Sequence, residues 1–272
     1  MLSIITINYN NALGLKKTMQ SVVNQTWSDF EYIVIDGNSN DESVAVIRSF
    51  EWFNLKWVSE PDTGIYNAMN KGIQKAKGDY LLFLNSGDYL YNKEVLSKVK
   101  NYFSLNISFI SGHLFYKKGD DEIIREHPKE LSFSYLVSKS ISHLSTFIKR
   151  EMFVKYGLYN EINKIVSDWE FFFKALGLNG ESFLSIDEII TIYDLTGISS
   201  IEENLKNIEE ERTQVFKKYL KPIFNDEFDT FLFQNFKAPS KRIKYLKHIE
   251  KSLFLRKITT VLLSVISFFI KK

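Results

Sequence analysis

The 272-residue chain predicts an α/β fold: a Rossmann-like, mainly parallel sheet flanked by helices, then a mixed half and a helical C-terminal extension. Three observations predict it. Over roughly the first 90 residues, short apolar runs alternate with amphipathic helical segments through short links, as in parallel strands joined by crossover helices. The run Tyr80-Leu81-Leu82-Phe83-Leu84 is too short for a helix and unbroken by polar residues, as expected of a strand buried on both faces. Beyond Ser111 the alternation stops, and Lys117-Lys118-Gly119-Asp120-Asp121, between His113–Tyr116 and Glu122–Glu126, reads as a hairpin.

In order, Leu2–Ile7 is the first strand, ending in Asn8-Tyr9-Asn10, and Leu13–Asn24 is a helix with Leu15, Met19, Val22 and Val23 inward. Phe30–Ile35 is the second strand, followed by Asp36-Gly37. Asp41 can cap the next helix, through Val44, Ile47 and Phe50, and Leu55–Val58 is a third strand. A turn at Pro61–Gly64 opens a helix with Ile65, Ala68, Met69 and Ile73 on one face, and Gly78 closes it. The Tyr80–Leu84 strand ends in Asn85-Ser86-Gly87-Asp88. Ligands bind beyond the carboxyl ends of such strands, which makes Asp88 a site candidate, although an Asp there is also a common helix cap. Later elements are a helix through Val95, Val99 and Phe103, strands at Ile107–Ser111, Phe183–Ile186 and Ile189–Tyr193, and an apolar helix from Ser167 ended by Gly177.

Composition narrows the function. With 35 Lys and Arg against 33 Asp and Glu, the net charge of +2 carries no nucleic-acid signal. The absence of cysteine excludes disulfides, thiolate metal sites and a Cys nucleophile, and fits a reducing compartment. Met1–Asn10 lacks the basic and long apolar regions of a secretory signal, so a cytoplasmic protein is expected.

Four segments in order, Ser3-Ile4-Ile5-Thr6-Ile7-Asn8-Tyr9-Asn10, Asp36-Gly37-Asn38-Ser39-Asn40-Asp41, Glu60-Pro61-Asp62-Thr63-Gly64-Ile65-Tyr66-Asn67-Ala68-Met69-Asn70-Lys71-Gly72 and Asn85-Ser86-Gly87-Asp88, resemble the family 2 glycosyltransferases of the GT-A fold. The likeness is dense over roughly the first 90 residues and thinner to about residue 200. It implies an inverting transfer of a sugar from a nucleotide diphosphate donor, UDP-linked, to a hydroxyl of a glycan or lipid-linked acceptor. By the resemblance the nucleotide contacts are Thr6, Asn8, Tyr9, Asp36, Ser39, Asp62, Asn67, Lys71, Ser86 and Gly87, with the Asp36 carboxylate accepting from the base. The family often places an Asp-x-Asp turn at the diphosphate. Here only Asp88 of Ser86-Gly87-Asp88 remains, to hold Mg²⁺ or Mn²⁺ with phosphates and waters. His143 matches a His-Gln segment, with Leu144 in place of Gln, and belongs near the diphosphate or acceptor. Asp194-Leu195-Thr196-Gly197-Ile198-Ser199 resembles a flap near the diphosphate.

The expected base is Asp168. Ser167-Asp168-Trp169-Glu170 resembles the family segment that carries it, and Phe171, Phe172 and Ala175 put an apolar stripe beside the carboxylate, where burial would raise its pKa. Glu170 is the second candidate, with an i, i+4 pair to Lys174 on a solvated face as its ordinary explanation. The expected domains are 1–200, with a nucleotide-binding half 1–90 and an acceptor half 91–200, then a helical extension 201–239 and a basic and apolar tail 240–272. The tail's Ile258–Ile270 reaches about 20 Å as a helix, against about 30 Å of hydrocarbon. It is expected to lie on the cytoplasmic membrane face rather than to span it, or to pack on protein. A nucleotidyltransferase and a non-catalytic membrane scaffold are the rival readings; the first calls for a Gly-rich basic loop that residues 8–16 lack.

Overall fold

The computed structural model describes residues 1–118, 121–194, 204–220 and 241–270. The chain divides into two compact units, Met1–Lys218 and Tyr219–Lys272. In the first unit, β1 (Leu2–Asn8), β2 (Phe30–Asp36), β3 (Leu55–Ser59) and β4 (Tyr80–Asn85) are parallel and lie in the order β3-β2-β1-β4. The connections are α1 (Ala12–Val23), α2 (Ser43–Arg48) and α3 (Ile65–Lys75). Every residue of β1 and β2 is buried, because both faces are covered. Leu2, Ile4, Tyr32, Val34 and Leu82 pack with Leu15 and Met19 of α1, while Ile5 and Ile35 on the opposite face lie against Gly72 of α3.

The sheet continues past β4 through β8 (Thr146–Lys149), β6 (Phe109–Lys118), β9 (Phe183–Ile192) and the two-residue β5 (Tyr89–Leu90), with β7 (Asp121–Arg125) paired to β6. Strand β8 is antiparallel to both β4 and β6, which makes this the mixed half. The stretches expected as separate strands at Ile107–Ser111 and His113–Tyr116 are one strand. Its register against β9 shifts around Gly112, where a side chain would meet the Glu188 carbonyl at 2.4 Å. The expected hairpin forms between β6 and β7; its Gly119-Asp120 turn lies outside the described residues, as do Gly197-Ile198-Ser199 and Lys237–Ser240.

Three expected boundaries move for identifiable reasons. Helix α3 stops at Lys75 with Ala76 extended at its end. Gly78 is instead a point of close approach, where a Cβ would stand 2.6 Å from the Ser3 backbone nitrogen. The helix Ser167–Phe172 continues through π-helical turns at Phe173–Leu178, so Gly177 lies inside the helical run. Asp41 works through its carboxylate on Ser43 N at 3.0 Å, while Glu42 occupies the cap position. The helix Leu205–Leu220, expected as part of the extension 201–239, reaches back within the first unit. Glu211 accepts the backbone N–H groups of Lys164, Ile165 and Val166 at 2.7, 3.0 and 3.1 Å, just ahead of the helix that starts at Ser167.

In the second unit, helices Lys241–Ile249 and Leu253–Ile270 are described. The latter exposes Leu253, Phe254, Val261, Phe268 and Phe269. No described helix is long and apolar enough to cross a membrane.

Candidate active site

Parallel register places Asn8 level with Asp36, Asp36 level with Ser59, and Ile7 level with Asn85. The polar ends of four strands therefore form one edge, and the loops beyond them carry most of the predicted residues. At β2, Asp36 is fully buried. Its Oδ1 accepts from Asn8 Nδ2 at 2.7 Å and Ser39 Oγ at 2.6 Å, and its Oδ2 from Ser39 N at 3.0 Å and Ser59 Oγ at 2.6 Å. Burial pushes this carboxyl up, but the bonds from Ser39, Ser59 and Asn8 outweigh it and hold the group below its ordinary value. These bonds tie the β1, β2 and β3 ends together around Asp36, the carboxylate that the resemblance expects to accept from the base. Thr6, also expected at the nucleotide, is fully buried with its hydroxyl 3.0 Å from that of Tyr32. Asn8 and Ser39 belong to the Asp36 network, and Ser39 Oγ also accepts from Asn10 N at 2.8 Å.

Other predicted contacts separate into two groups. Tyr9 is 66% exposed, and its ring lies with Asp62 around Gly37. Asn67 and Lys71, by contrast, face protein: Asn67 Nδ2 donates to Glu161 at 2.9 Å, and Lys71 Nζ to the Pro61 carbonyl at 2.7 Å, 3.0 Å from Glu60.

At the end of β4 the chain turns through Ser86 and Gly87, whose φ of +109° suits a glycine. Asn11 Nδ2 donates to the Ser86 carbonyl at 3.0 Å, and Thr18 Oγ1 accepts from Gly87 N at 2.9 Å while donating to Asp88 O at 2.7 Å. This grip holds Asp88 at 3% exposure. Pairing of Tyr89 with Ile192 brings the end of β9 alongside, and Asp194 N donates to Asp88 Oδ1 at 2.9 Å. Burial pushes the Asp88 carboxyl up to about 7, further helped by the Asp194 carboxylate, against the Asp194 N–H and the His143 charge, which pull it down. Asp88 is a hard oxygen donor short of counter-charge, which fits one ligand of a divalent cation. Among the described residues no group of three His, Cys, Asp or Glu could hold a metal, so phosphate and water oxygens must complete such a shell.

His143 opens a 3₁₀ turn, His143–Ser145, and its Nδ1 lies 2.7 Å from Asp168 Oδ2. Each side chain is 16% exposed, and His143 Nε2 is buried without a hydrogen-bond partner. Tyr66 of α3 places its hydroxyl 2.6 Å from the Ile165 carbonyl and 3.1 Å from Asp168 Oδ1. The Asp168 carboxyl is therefore held below its ordinary value: burial pushes it up, but the His143 bond and charge, the Trp169 N–H and Tyr66 together outweigh that push. The expectation of a raised pKa is corrected, because polar partners fill the side of the helix that the sequence leaves blank. Glu170 is corrected too. It is 4% exposed and binds Asn160 at 3.0 Å, Asn163 at 2.7 Å and Lys218 at 2.9 Å, while Lys174 donates to the Tyr156 carbonyl instead.

Sequence reasoning missed Glu211 and His127, and it named Tyr66 and Asp194 only as members of longer segments, without a role of their own. His127 is buried, its Nε2 accepts from Ser142 N at 3.2 Å, and its Nδ1 meets Ser111 Oγ. The accepting Nε2 requires the proton on Nδ1. Ser111 then passes its own bond to Thr146 Oγ1 at 2.8 Å, and Thr146 donates to Ser142 O at 2.6 Å. Both backbone polar groups of Ser142, the residue before His143, are held by this chain. Tyr66 and Asp194 had local signals, the Gly64-Ile65-Tyr66-Asn67 segment and the start of the flap-like segment; Glu211 and His127 had none.

Residues 3–163 match the model of glycosyl transferase family 2. An uncharacterised glycosyltransferase of Mycobacterium tuberculosis (strain ATCC 25618 / H37Rv) is 33% identical over 205 residues, 74% of this chain and 78% of that protein. A PGL/p-HBAD biosynthesis glycosyltransferase of Mycobacterium bovis (strain BCG / Pasteur 1173P2) is 32% identical over 183 residues, 63% and 68% of the two chains. In fold, the chain is similar to S. aureus TarS 1-349 in complex with UDP-GlcNAc, with a TM-score of 0.66 and 18% identity over 87% of this chain and 70% of that one. It is also similar to the mannosyltransferase PcManGT from Pyrobaculum calidifontis in complex with GDP-Man and Mn²⁺, with a TM-score of 0.61 and 15% identity over 99% and 86%.

Proposed function

The chain belongs to glycosyl transferase family 2, and from that premise we propose an inverting transferase that moves a sugar from a UDP donor to a hydroxyl of a glycan or lipid-linked acceptor. One observation carries the reading. His143 contacts Asp168 at 2.7 Å and is near enough to Asp88 to draw its pKa down, so three distant segments converge on one acid-base cluster beyond the sheet. The complexes of the two fold neighbours, with UDP-GlcNAc and GDP-Man, support a nucleoside diphosphate sugar as donor.

In this mechanism the acceptor oxygen attacks the anomeric carbon from the face opposite the diphosphate. The new C–O bond forms as the bond to the phosphate oxygen breaks, and the acceptor's proton passes to Asp168. Asp168 acts as one unit with His143, because a carboxylate with a lowered pKa is a weak base alone and the 2.7 Å bond lets the imidazole share the charge. Asp88 would hold Mg²⁺ or Mn²⁺, which when bound neutralises charge on the leaving diphosphate. Residues 1–90 serve the nucleotide and 91–200 the acceptor.

The tail extends the proposal to a peripheral place on an anionic inner membrane face. Its last described helix presents the exposed apolar residues Phe254, Val261, Phe268 and Phe269, after a basic stretch from Lys241 to Lys257. A thermal-shift screen of nucleotide sugars, with and without Mn²⁺, tests the donor class. A ligand at about 100 times its Kd adds about 2.7 kcal/mol, followed by a hydrolysis assay on the best binder. Stabilisation by none of the nucleotide sugars refutes the proposal, and binding without turnover leaves a non-catalytic subunit.

A further inference from the structure

We infer that Arg212 and Arg125 form a subsite for a phosphate group carried by the acceptor, beside the proposed base and away from the donor's diphosphate. The inference rests on the transferase reading above and deepens it by giving the acceptor a chemical class.

The turn that follows the helix Phe133–Ser138 collects cations. A helix end leaves carbonyls without intrahelical partners, and here side chains from three other elements take carbonyls of that end and of the turn beyond it. Trp169 Nε1 donates to Leu136 O at 2.7 Å, and Arg212 Nη1 to Ser138 O at 3.2 Å. Arg125, at the end of β7, donates from Nη2 to Ser140 O at 2.9 Å and also bonds the Tyr135 hydroxyl. Lys139 Nζ lies 5.9 Å from the centre of the Tyr135 ring. Arg212, from the helix Leu205–Leu220, has its guanidinium carbon 4.7 Å from the ring centre of Trp169, the residue after Asp168. Three cations therefore meet on one turn, just ahead of His143 in the chain and against the neighbour of Asp168 in space.

Those bonds leave charge and donors over. Among the described residues neither arginine forms an ion pair. Ser138 uses Nη1 of Arg212, but Nε is buried without an acceptor, and no described residue accepts from Nη2. Nε and Nη2 make up the side-on edge of a guanidinium, the edge that grips two oxygens of one anion. Burial disfavours the Arg212 cation, the Asp168 and Glu209 carboxylates favour it and the Arg125 charge disfavours it; the balance holds its pKa below the ordinary value, as for a cation short of counter-charge. Of the two site carboxylates, Asp168 acts on Arg212 and Asp88 does not, which sets the arginine by the base rather than by the leaving diphosphate. Two guanidiniums match the two charges of a phosphate better than the single charge of a sugar carboxylate. A phosphate held there is bound and not transferred. Its work is to fix the acceptor so that the attacking hydroxyl meets Asp168.

The full chain, saturated with UDP and Mg²⁺ so that the donor site is filled, is titrated calorimetrically with N-acetylglucosamine 1-phosphate, glucose 6-phosphate, glucose and glucuronate. At least one sugar phosphate should bind about 10-fold or more tightly than glucose and glucuronate. Preference for the 1-phosphate points to the phosphate that joins an acceptor to its carrier, and preference for the 6-phosphate to one within the glycan. Arg212→Gln and Arg125→Gln should each lose about 10- to 100-fold for that probe, and Arg212→Lys, which keeps the charge without the fork, should recover only part. Titration with UDP first shows that each variant is folded. Arg125 is exposed, so Arg125→Gln decides the matter if Arg212→Gln does not fold. An arginine that only packs on Trp169 and holds the Ser138 carbonyl would change the melting temperature of Arg212→Gln and leave sugar-phosphate affinity as it was. That result overturns the inference, as does a wild type that binds UDP but prefers neither sugar phosphate to glucose. A wild type that binds no UDP overturns the nucleotide-sugar reading, and the inference with it.

Discussion

Replacing Asp88 by Asn should make the unliganded protein more stable at neutral pH, even though it removes a residue proposed to serve catalysis. The carboxyl is 3% exposed, and burial raises it from 3.8 to about 7. That rise corresponds to a cost on the order of 4 kcal/mol for holding the ionised form in place. The sign follows from proton binding. Between these two values the folded state holds more protons than the unfolded state, so stability is greatest below pH 3.8, falls as the pH rises to about 7, and stays lower above it. Asparagine cannot ionise, yet its Oδ1 can still accept from Asp194 N, and Asn85 Oδ1, buried without a partner, is a candidate acceptor for the new amide. For a unit of this size 1 kcal/mol moves Tm by about 2–4 °C, so the variant should melt about 8 °C or more above the wild type at pH 8. The two should converge near pH 4. Thermal unfolding in EDTA across this range is the assay; parallel curves, or a variant that melts lower at pH 8, would refute the argument. Adding Mn²⁺ with UDP should then raise the wild-type Tm and leave that of Asp88→Asn nearly unchanged.

Asp168→Asn should lower transfer by about 10²- to 10⁴-fold with UDP affinity unchanged in calorimetry. Since the Asp168 carboxyl sits below its ordinary value in the fold, the variant should also be the less stable at pH 7, with the gap closing in acid as the wild-type carboxylate is protonated. His127→Leu should reduce kcat while sparing UDP affinity, by freeing Ser142 ahead of His143, and His127→Gln should recover part of the loss because its amide oxygen can accept from Ser142 N–H. Burial holds His127 down to about 3, so the wild type should lose stability as the pH falls from 6.5 towards that value, a loss His127→Leu lacks in a pH series of melts. Truncation after Pro239 should leave a nucleotide-binding protein that no longer sediments with anionic liposomes; continued sedimentation would place the anchor elsewhere.

The parallel half was legible from the chain because its signals are local. Apolar runs such as Tyr80–Leu84 are too short for helices and fit strands buried on both faces, and the carboxyl ends of those strands are where a parallel sheet gathers its ligand residues. Asp88 could be picked out at the end of an apolar strand and Asp168 beside an apolar stripe, whereas His143 was named through the family resemblance alone. What the residues touch was decided elsewhere. Asp36 and Asp62 look alike in sequence, each an Asp beside a turn glycine or proline, yet the β1–β2–β3 register saturates one and leaves the other an oxygen to spare. Glu170 has a cation one turn away in sequence, but Asn160, Asn163 and Lys218 reach it first in space. The pKa of Asp168 turned on His143 and Tyr66, 25 and 102 residues distant. Periodicity and turn chemistry act over a few residues, and so the sequence alone determined where strands, helices and their polar ends would lie. Hydrogen bonds and charge act over a few ångströms, and only the packed chain decided which groups that distance would join.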